Sequence, residues 1–457
     1  DSKHRLQRVT FVEIDPRRLI EINNAILAAQ EAVEAHLQVK YQPLDKRQIA
    51  RLIKSIDARL KEDARRQREA WRKKALRGQV AVDTGPRVPT RMTVERDREG
   101  YRFGAVSETA SVPERTTRLD DALVKEANDK LAASETWESQ YDAGVLLGRL
   151  LLPADLREHL RGDAPIVMTM DSATARIHWE MIVHGAPSQG AATRSAKQML
   201  DEFLGTSRGF TRQLRSTFAP PPEPPPPPQR TLRVLIVADP AADAPLPGAQ
   251  QEGAALADLF RRFNTIHARG TGNRVEVTTL LGPAEATRLN VLEQLMSNEP
   301  YDVLHFAGHC VFDAAQPRRS GWIFSNDQRL TADELTRIDR VPSFVFSNAC
   351  ESGITRGRVS RSPGLAPGFA EAFFAKGVSN FVCTAWRIDD LAASDFALVL
   401  YARLLGLDID LEELDTIRPA QPLYLYEAMR DARRTIASRE YGVQTWGAYQ
   451  HYGNPYF

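Results

Sequence analysis

The second half of the sequence predicts an α/β fold in which a mostly parallel β-sheet carries helices on both of its faces. The segment at 232–238 (LRVLIVA) is a short continuous apolar run, which is typical of a strand buried on both faces. Strand-like and helix-like segments then alternate as far as residue 404, the order expected of a parallel sheet with crossover helices. No segment recurs with a period of roughly 20–50 residues, which argues against a solenoid.

The strands expected in this sheet are short, and a helix follows each of them. We expect strands at 232–238, 274–280, 303–307, 343–346 and 378–385, and helices at 250–263, 288–297, 332–338, 366–376 and 389–404. Because consecutive parallel strands need a long connection, each helix is expected to serve as a crossover between two strands.

The residues at the start of the chain predict helices rather than strands. We interpret residues 1–91 as an N-terminal helical hairpin and connector, which could act as a regulatory or recognition segment. Asp15 and Pro16 suit the N-cap and first turn of the first helix, and Pro43 separates it from the second. The second helix ends in a row of Arg and Lys with acids between them. We interpret this row as a solvated helix face, with nucleic-acid binding as the alternative.

Residues 92–218 predict an α+β companion lobe, and residues 219–230 a linker. The expected elements of the lobe are a hairpin at 92–97 and 101–107, helices at 119–132 and 135–150, a second hairpin at 165–171 and 176–182, and a helix at 195–217. In the linker, the stretch from Pro220 to Pro228 consists of eight prolines and one glutamate. We expect it to form a semi-rigid polyproline II spacer, with an SH3-type ligand as the alternative.

The composition restricts the classes of function that the chain could have. Its 457 residues suggest two or three domains, and a net charge of +1 gives no overall field that would favour nucleic acid or a membrane. Three cysteines are too few for a disulfide framework, so we expect a reducing, cytoplasmic compartment. No apolar run reaches the ~18 residues of a membrane span. The first residue is Asp rather than Met, so we expect a fragment or a processed chain.

Two reactive side chains follow neighbouring strands of the predicted sheet. His309 comes just after the strand at 303–307, and Cys350 comes just after the strand at 343–346. Because ligands of open α/β sheets bind at the carboxyl ends of the strands, both side chains are expected at one edge. A histidine near a cysteine can generate the thiolate and later protonate a leaving amine. The pair therefore predicts nucleophilic catalysis at this edge.

Each of these two residues also has an ordinary explanation when it is taken alone. A histidine at a strand end is usually a surface or hydrogen-bonded residue, and a cysteine there is usually a small buried hydrophobe. Their order on adjacent parallel strands favours the catalytic interpretation. We interpret His305 as structural, Cys383 as a core residue and His178 as a turn residue. No Cys/His set has the spacing of a zinc site, and no phosphate-binding loop is present, so neither a metal nor another cofactor is expected.

The motifs around these residues resemble the CHAT family of caspase-like (clan CD) peptidases. The stretch HFAGHC at 305–310 is similar to the histidine motif HFaGHG of the family, and SNACESG at 347–353 is similar to its cysteine motif LsACesG. Weaker similarity extends over the rest of 232–457, including LPGA at 246–249 and the segment TAWRIDD at 384–390. One departure is Cys310, which stands where the family usually has glycine.

The resemblance implies a fold, an activity and a site. It implies a six-stranded caspase-like core at 232–457, in which His309 is the general base and acid and Cys350 is the nucleophile. The backbone N–H groups of Cys310 and Cys350 would form the oxyanion hole. The substrate would be a protein, and an activating or inhibitory partner protein or domain would control the enzyme. Relatives of this type often act as triggered bacterial effectors in antiviral defence or cell death.

Three residues are candidates for substrate binding, and two other functions compete with proteolysis. Asp389, Asp390 and Trp386 could line a specificity pocket, and the aspartates would then favour a basic residue before the scissile bond. Helix N-capping by Asp389 or Asp390 is the alternative. The rival functions are a catalytically silent scaffold or sensor, which the presence of both His309 and Cys350 disfavours, and a thiol amidase or acyltransferase on the same sheet.

Overall fold

One mixed sheet of 13 strands runs through the part of the chain that the structure describes. The computed structural model describes residues 87–457 except 108–110, 161, 163, 185–193, 216–230, 268–273, 312–318, 336, 339, 352–369, 371–372, 375–376 and 414–415. The predicted helical hairpin within 1–91, the linker at 219–230 and most of the helix at 366–376 lie outside these residues.

The strands are short, and most of them are buried on at least one face. They are β1 (Thr90–Arg96), β2 (Tyr101–Val106), β3 (Ser111–Thr117), β4 (Ile166–Met170), β5 (Phe210–Leu214), β6 (Leu232–Ala238), β7 (Val275–Leu281), β8 (Val303–Val311), β9 (Gly321–Phe324), β10 (Gln328–Thr331), β11 (Phe344–Glu351), β12 (Asn380–Thr384), β13 (Leu407–Ile409), β14 (Ile417–Pro419) and β15 (Tyr449–Gly453). Strands β13 and β14 pair only with each other, and the remaining strands form the large sheet.

Helices connect these strands and cover the sheet. They are α1 (Asp121–Ala133), α2 (Trp137–Leu151), α3 (Ala154–His159), α4 (Ala196–Leu200), α5 (Leu204–Ser207), α6 (Pro247–His267), α7 (Arg288–Leu295), α8 (Ala332–Leu335), α9 (Asp390–Leu404) and α10 (Leu425–Ala437). Within the described ranges, no helix has both the length and the apolar composition that a membrane crossing requires.

The C-terminal part of the sheet has the predicted α/β architecture. Strands β7, β6, β8, β11 and β12 are neighbours in that order and pair in parallel, and β15 adds an antiparallel strand beside β12. These six strands agree with the number that the resemblance implies, and the hairpin of β9 and β10 extends the sheet beside the end of β8. All five residues of β12 and the last five residues of β6 are buried, which explains the apolar character of these two strands.

The N-terminal lobe continues the same sheet. Strand β5 pairs in parallel with β4 and also meets β15, where Tyr452 lies opposite Arg212. The predicted hairpin of β1 and β2 is confirmed, with Met92 opposite Ala105, and β3 extends it at the edge. The described residues of the lobe and of the C-terminal part belong to one compact unit.

The second predicted hairpin is wrong. Strand β4 is present, but the segment predicted as its partner forms two 3₁₀ turns, Thr174–Arg176 and Trp179–Met181. The carboxylate of Asp171 accepts hydrogen bonds from the N–H groups of Ala173 and Thr174, at 3.1 and 2.8 Å. An aspartate that satisfies the next N–H groups in this way turns the chain locally and competes with strand pairing.

The long helix predicted at 195–217 is also wrong. The chain forms only the short helices α4 and α5 and then enters strand β5. Gly209 separates them with a φ of +80°, and a Cβ at this position would lie 2.8 Å from the carbonyl oxygen of Tyr426. Because a residue in this region of φ cannot continue a right-handed helix, the glycine ends the helical segment and directs the chain into the sheet.

A buried ion-pair cluster lies where the lobe meets the C-terminal part. Glu180, Arg212 and Arg433 are all fully buried. Arg212 donates two hydrogen bonds to the carboxylate of Glu180 and one each to the carbonyls of Ala175 (2.7 Å) and Ile177 (2.8 Å). Burial would raise the pKa of Glu180, but the charge of Arg212 holds this pKa below its usual value.

Candidate active site

The backbone register of two parallel strands places the predicted catalytic residues opposite each other. Cys350 of β11 pairs with His309 of β8. Both strands are longer than expected, since β8 continues to Val311 and β11 to Glu351, so the two residues lie within the strands rather than beyond them. Residues that pair in register face the same side of a sheet. The side chain of Cys350 is outside the described part of the structure.

A backbone carbonyl orients the imidazole of His309. The Nε2 atom of this half-buried histidine lies 2.9 Å from the carbonyl oxygen of Ala244. Since a carbonyl oxygen only accepts hydrogen bonds, Nε2 carries the proton, and Nδ1 of the neutral ring is the atom that can act as a base. The Ala244 carbonyl thus orients the imidazole of His309.

The loop that presents this carbonyl is closed by an aspartate side chain. Asp239 follows β6 with a φ of +53°, and its carboxylate accepts a hydrogen bond of 2.7 Å from the N–H of Leu246. The backbone N–H of Asp239 also donates a hydrogen bond of 2.9 Å to the carbonyl oxygen of Ala307 on β8. Aspartate is one of the few residues that tolerate this backbone region. Sequence reasoning missed Ala244, because a carbonyl has no signature in the residue type.

The surroundings of His309 keep its imidazole neutral. Burial lowers the pKa of His309 below its usual value of 6.5, and the nearby Arg387 acts in the same direction. The hydrogen bond to Ala244 and the charges of Asp239 and Asp390 oppose this shift without reversing it. A neutral imidazole at neutral pH is the form that can take a proton from a thiol.

One cavity borders the histidine, and a second cavity shares part of its wall. The first has a volume of about 340 Å³, and its walls include His309, Ala244, Glu252, Asn348 and Asp390. The second has a volume of about 730 Å³ and shares Asp390 with the first. Carboxylates dominate the charge of its walls, which include Glu135, Glu138, Asp389 and Glu440. Arg387, Ile388 and Asp390 belong to the walls of both cavities, and acidic side chains outnumber basic ones there.

The structure separates the three candidates for substrate binding. Asp389 is the N-cap of α9 and accepts hydrogen bonds from the N–H groups of Leu391 (2.9 Å) and Ala392 (3.1 Å), so the capping alternative is confirmed for this residue. Asp390 borders both cavities, and burial together with the charge of Asp389 raises its pKa. Its contact with a substrate stays a prediction.

Trp386 lies in a different environment from the two aspartates. Its indole N–H donates to the carbonyl of Gln444 at 3.0 Å, and its ring packs edge-on against His178 at 4.8 Å. It borders neither of the two cavities. His178 is itself buried between the two 3₁₀ turns, and burial lowers its pKa to about 4. Within this structure both rings pack between the lobe and the C-terminal part, and a role of Trp386 in substrate binding stays a prediction.

Cys310 faces away from His309. Successive residues of a strand point to opposite faces, and the buried thiol of Cys310 donates to the carbonyl of Ala349 at 3.1 Å. Its backbone pairs with Trp322 on one side and with Glu351 on the other. The side chain that replaces the usual glycine therefore does not occupy the face of His309. The assignment of the N–H groups of Cys310 and Cys350 to an oxyanion hole stays a prediction.

The remaining interpretations of Cys and His residues can be compared directly with the structure. Cys383 of β12 is buried, as predicted for a core residue, and burial raises the pKa of its thiol strongly. His305 is fully buried, and its Nε2 lies 2.9 Å from a carboxylate oxygen of Glu252. His305 is therefore structural, as predicted, but Glu252 was not recognised from the sequence as part of the same polar cluster.

Comparison with known proteins identifies the family to which the chain belongs. The CHAT domain family matches residues 142–454, well over half of the chain. No curated protein matches the chain. Similar solved structures include a chain of the Saccharomyces cerevisiae separase–securin complex, with 11% identity and a TM-score of 0.33 over 64% of this chain and 16% of that one. A chain of a second structure of the same complex has 9% identity and a TM-score of 0.40, over 81% of this chain and 30% of that one.

The Arg-specific cysteine proteinase gingipain R is also similar. It shares 11% identity with this chain at a TM-score of 0.38, over 66% of this chain and 68% of its own. The chain thus spans only 16% and 30% of the two separase-complex chains.

Proposed function

Since the chain belongs to the CHAT domain family, we propose that it is a cysteine endopeptidase with His309 and Cys350 as its catalytic pair. The observation that carries this proposal is the register of β8 and β11, which sets Cys350 opposite a neutral, oriented imidazole. Cysteine and histidine on one face of adjacent strands are the two groups that acyl transfer by a thiol requires.

The reaction proceeds through a thioester. Nδ1 of His309 takes the proton of the Cys350 thiol, and the sulfur forms a bond to the carbonyl carbon of the peptide. The resulting oxyanion accepts hydrogen bonds from the N–H groups of Cys310 and Cys350. The C–N bond then breaks as the imidazolium returns the proton to the amine. Water, deprotonated by His309, hydrolyses the thioester and frees the thiol.

The presence of a second cavity beside that of His309 supports a protein substrate. The two cavities share Arg387, Ile388 and Asp390 in their walls, so an extended chain that occupies the first could continue into the second. A small amide would need only the first of them. This observation favours the endopeptidase over the thiol amidase, and the presence of both catalytic residues favours it over a silent scaffold.

An electrophilic peptide tests the assignment of the nucleophile. Incubation with a peptidyl acyloxymethyl ketone, followed by mass spectrometry, is expected to show an adduct on Cys350 and none on the buried Cys310 or Cys383. The His309→Ala variant should react more slowly. Wild-type protein that stays unlabelled at Cys350, or becomes labelled first at Cys310, would contradict the proposal.

Asp390 is proposed to select a basic residue before the scissile bond. It borders both cavities, and its charge is not compensated there by the single Arg387. We expect Asp390→Asn to raise KM for substrates with Arg or Lys at this position by about tenfold, as for the loss of one charged contact, with little change in kcat. Glu293→Gln, which alters an exposed carboxylate of α7, serves as the control. An unchanged preference for basic over neutral residues in Asp390→Asn would refute the role.

The lowered pKa of His309 sets the pH dependence of the reaction. Below this pKa the imidazole is protonated and cannot accept the proton of the thiol. We therefore expect kcat/KM to fall on the acid side with a midpoint below the usual histidine value of 6.5. Measurement of kcat/KM against pH checks this. A midpoint above 6.5 would mean that burial does not control this histidine.

The physiological role is proposed from the family resemblance alone. The peptidase would act in the cytoplasm as a triggered effector of antiviral defence or cell death, held inactive until a partner protein or domain releases it. Expression of wild type and of Cys350→Ala in infected and uninfected bacterial cells would test this. Toxicity or protection that requires Cys350 only during infection is the expected result, and equal behaviour of both proteins would contradict it.

A further inference from the structure

A buried carboxylate lies beneath the proposed catalytic pair. Glu252 belongs to helix α6, is only 2% exposed and forms part of the wall of the cavity that also contains His309. Both of its oxygens accept hydrogen bonds from the side-chain amide of Asn348, at 2.8 and 3.0 Å. A buried carboxylate is costly unless its partners are well placed, so this arrangement constrains both residues.

The partners of Glu252 connect four elements of the fold. Asn348 lies on β11, and its side-chain oxygen accepts a hydrogen bond of 3.1 Å from the hydroxyl of Tyr449 on β15. His305 lies on β8, with Nε2 at 2.9 Å from Glu252 and Nδ1 at 3.4 Å from the hydroxyl of Tyr401 on α9. Asn348, His305 and both tyrosines are buried. The network ties helix α6 to the two strands that carry the catalytic pair.

The register places this network one pleat below the catalytic pair. Asn348 precedes Cys350 by two residues and pairs with Ala307, which precedes His309 by two. Residues two apart share a face of the sheet. Glu252 therefore accepts hydrogen bonds from the strand of Cys350 on the face of the nucleophile, two residues before it, and lies 2.9 Å from His305 on the strand of His309.

We propose that Glu252 is a positioning residue that, through Asn348, holds the end of β11 so that Cys350 stays in proton-transfer register with His309. This inference rests on the proposed function and adds a residue to it. Displacement of a reacting group by about 1 Å can lower a rate by up to about 10²-fold. Loss of the carboxylate is thus expected to uncouple the thiol from the imidazole while the fold persists.

Alkylation of Cys350 measures this coupling without a substrate. We would follow the rate of modification of Cys350 by iodoacetamide between about pH 5 and pH 9 by mass spectrometry, in the complete chain, for wild type, Glu252→Gln, Asn348→Ala and the double variant. A thiol coupled to a histidine reacts at low pH, whereas an uncoupled one follows its ordinary pKa near about 8.5. Asp258→Asn, on the same helix but half exposed and paired with Arg262, is the matched control.

The expected result is a fall of at least about tenfold in the rate at neutral pH for Glu252→Gln and for Asn348→Ala. The pH midpoint should move towards that of an ordinary thiol. The double variant should be alkylated no more slowly than either single variant, because both substitutions remove the same contact. Asp258→Asn should match wild type, and circular dichroism should show each variant folded at the assay temperature.

The outcomes separate this inference from the proposed function. If His309→Ala slows alkylation and Glu252→Gln does not, Glu252 has no positioning role and the inference is overturned. If neither variant differs from wild type, and wild type itself shows an ordinary thiol profile, the catalytic pair is wrong and both proposals fail. Should Glu252→Gln be unfolded, Asn348→Ala with a wild-type pH profile would still overturn the inference.

Discussion

Replacement of Cys350 by alanine is expected to lower kcat/KM for peptide cleavage by on the order of 10⁴-fold or more. The sulfur is the atom that forms the thioester, and alanine supplies no nucleophile in its place. His309→Ala should have an effect of similar size, because the thiol then loses both the base and the proton donor. Cleavage of a peptide and protein substrate library, with sites mapped by mass spectrometry, measures both variants.

The controls for this experiment come from the same two strands. Since Cys350 and His309 act as a unit, the double variant should have a kcat/KM only slightly lower than that of either single variant. Cys310→Ser should retain most of the activity, because its side chain lies on the opposite face from His309 and donates to Ala349. Activity that persists in Cys350→Ala and disappears in Cys310→Ser would transfer the role of nucleophile to Cys310.

Replacement of Glu180 by alanine is expected to destabilise the protein by about 3–5 kcal/mol. The carboxylate is fully buried, and its removal leaves the fully buried Arg212 with its charge uncompensated and Arg433 without its nearest carboxylate, 3.8 Å away. Arg212 also donates hydrogen bonds to Ala175 in the first 3₁₀ turn and to Ile177, which follows it. The junction of the lobe with the C-terminal part should therefore loosen. Urea unfolding followed by fluorescence measures the free energy of unfolding.

Two further variants show whether charge or packing causes the effect. Glu99→Gln removes an exposed carboxylate that lies 3.5 Å from Arg118, and it should leave the free energy of unfolding close to that of wild type. Glu180→Leu combined with Arg212→Met replaces the pair by apolar side chains, and it should be more stable than Glu180→Ala. If Glu180→Ala unfolds at the same urea concentration as wild type, the cluster does not stabilise the junction.

Local sequence patterns predicted most elements of the sheet but not their full lengths. Strand β6 was predicted residue for residue, since a continuous apolar run has one simple explanation in an α/β chain. Strands β8 and β11 were cut short at 307 and 346, because Gly308, His309, Asn348 and Cys350 do not look like strand residues. Their pairing with each other extends both strands, and tertiary pairing outweighs intrinsic strand propensity.

The two incorrect predictions, the second hairpin and the long helix at 195–217, failed because contacts made in the folded protein outweighed the local sequence pattern. The segment after β4 has residues that suit a strand, but the carboxylate of Asp171 and the buried Trp179 hold it in 3₁₀ turns, where the indole N–H donates to Thr174 at 2.9 Å. The segment at 195–217 has helical periodicity, yet its residues Phe210–Leu214 form strand β5, which pairs with β4 and β15. Burial of Phe210 in that position outweighs the periodicity.

The sequence by itself predicted the α/β class, the buried strands and the placement of His309 and Cys350 on neighbouring strands, because parallel strands bring their equivalent ends to one edge and the motif residues can be read from the chain. Only the tertiary structure decided which groups lie around these two positions. The carbonyl of Ala244 and the carboxylate of Glu252 reach the site from 65 and nearly 100 residues away in the chain. A carbonyl is common to every residue, and one carboxylate among 59 acidic residues acquires a role only through the neighbours that the fold places beside it.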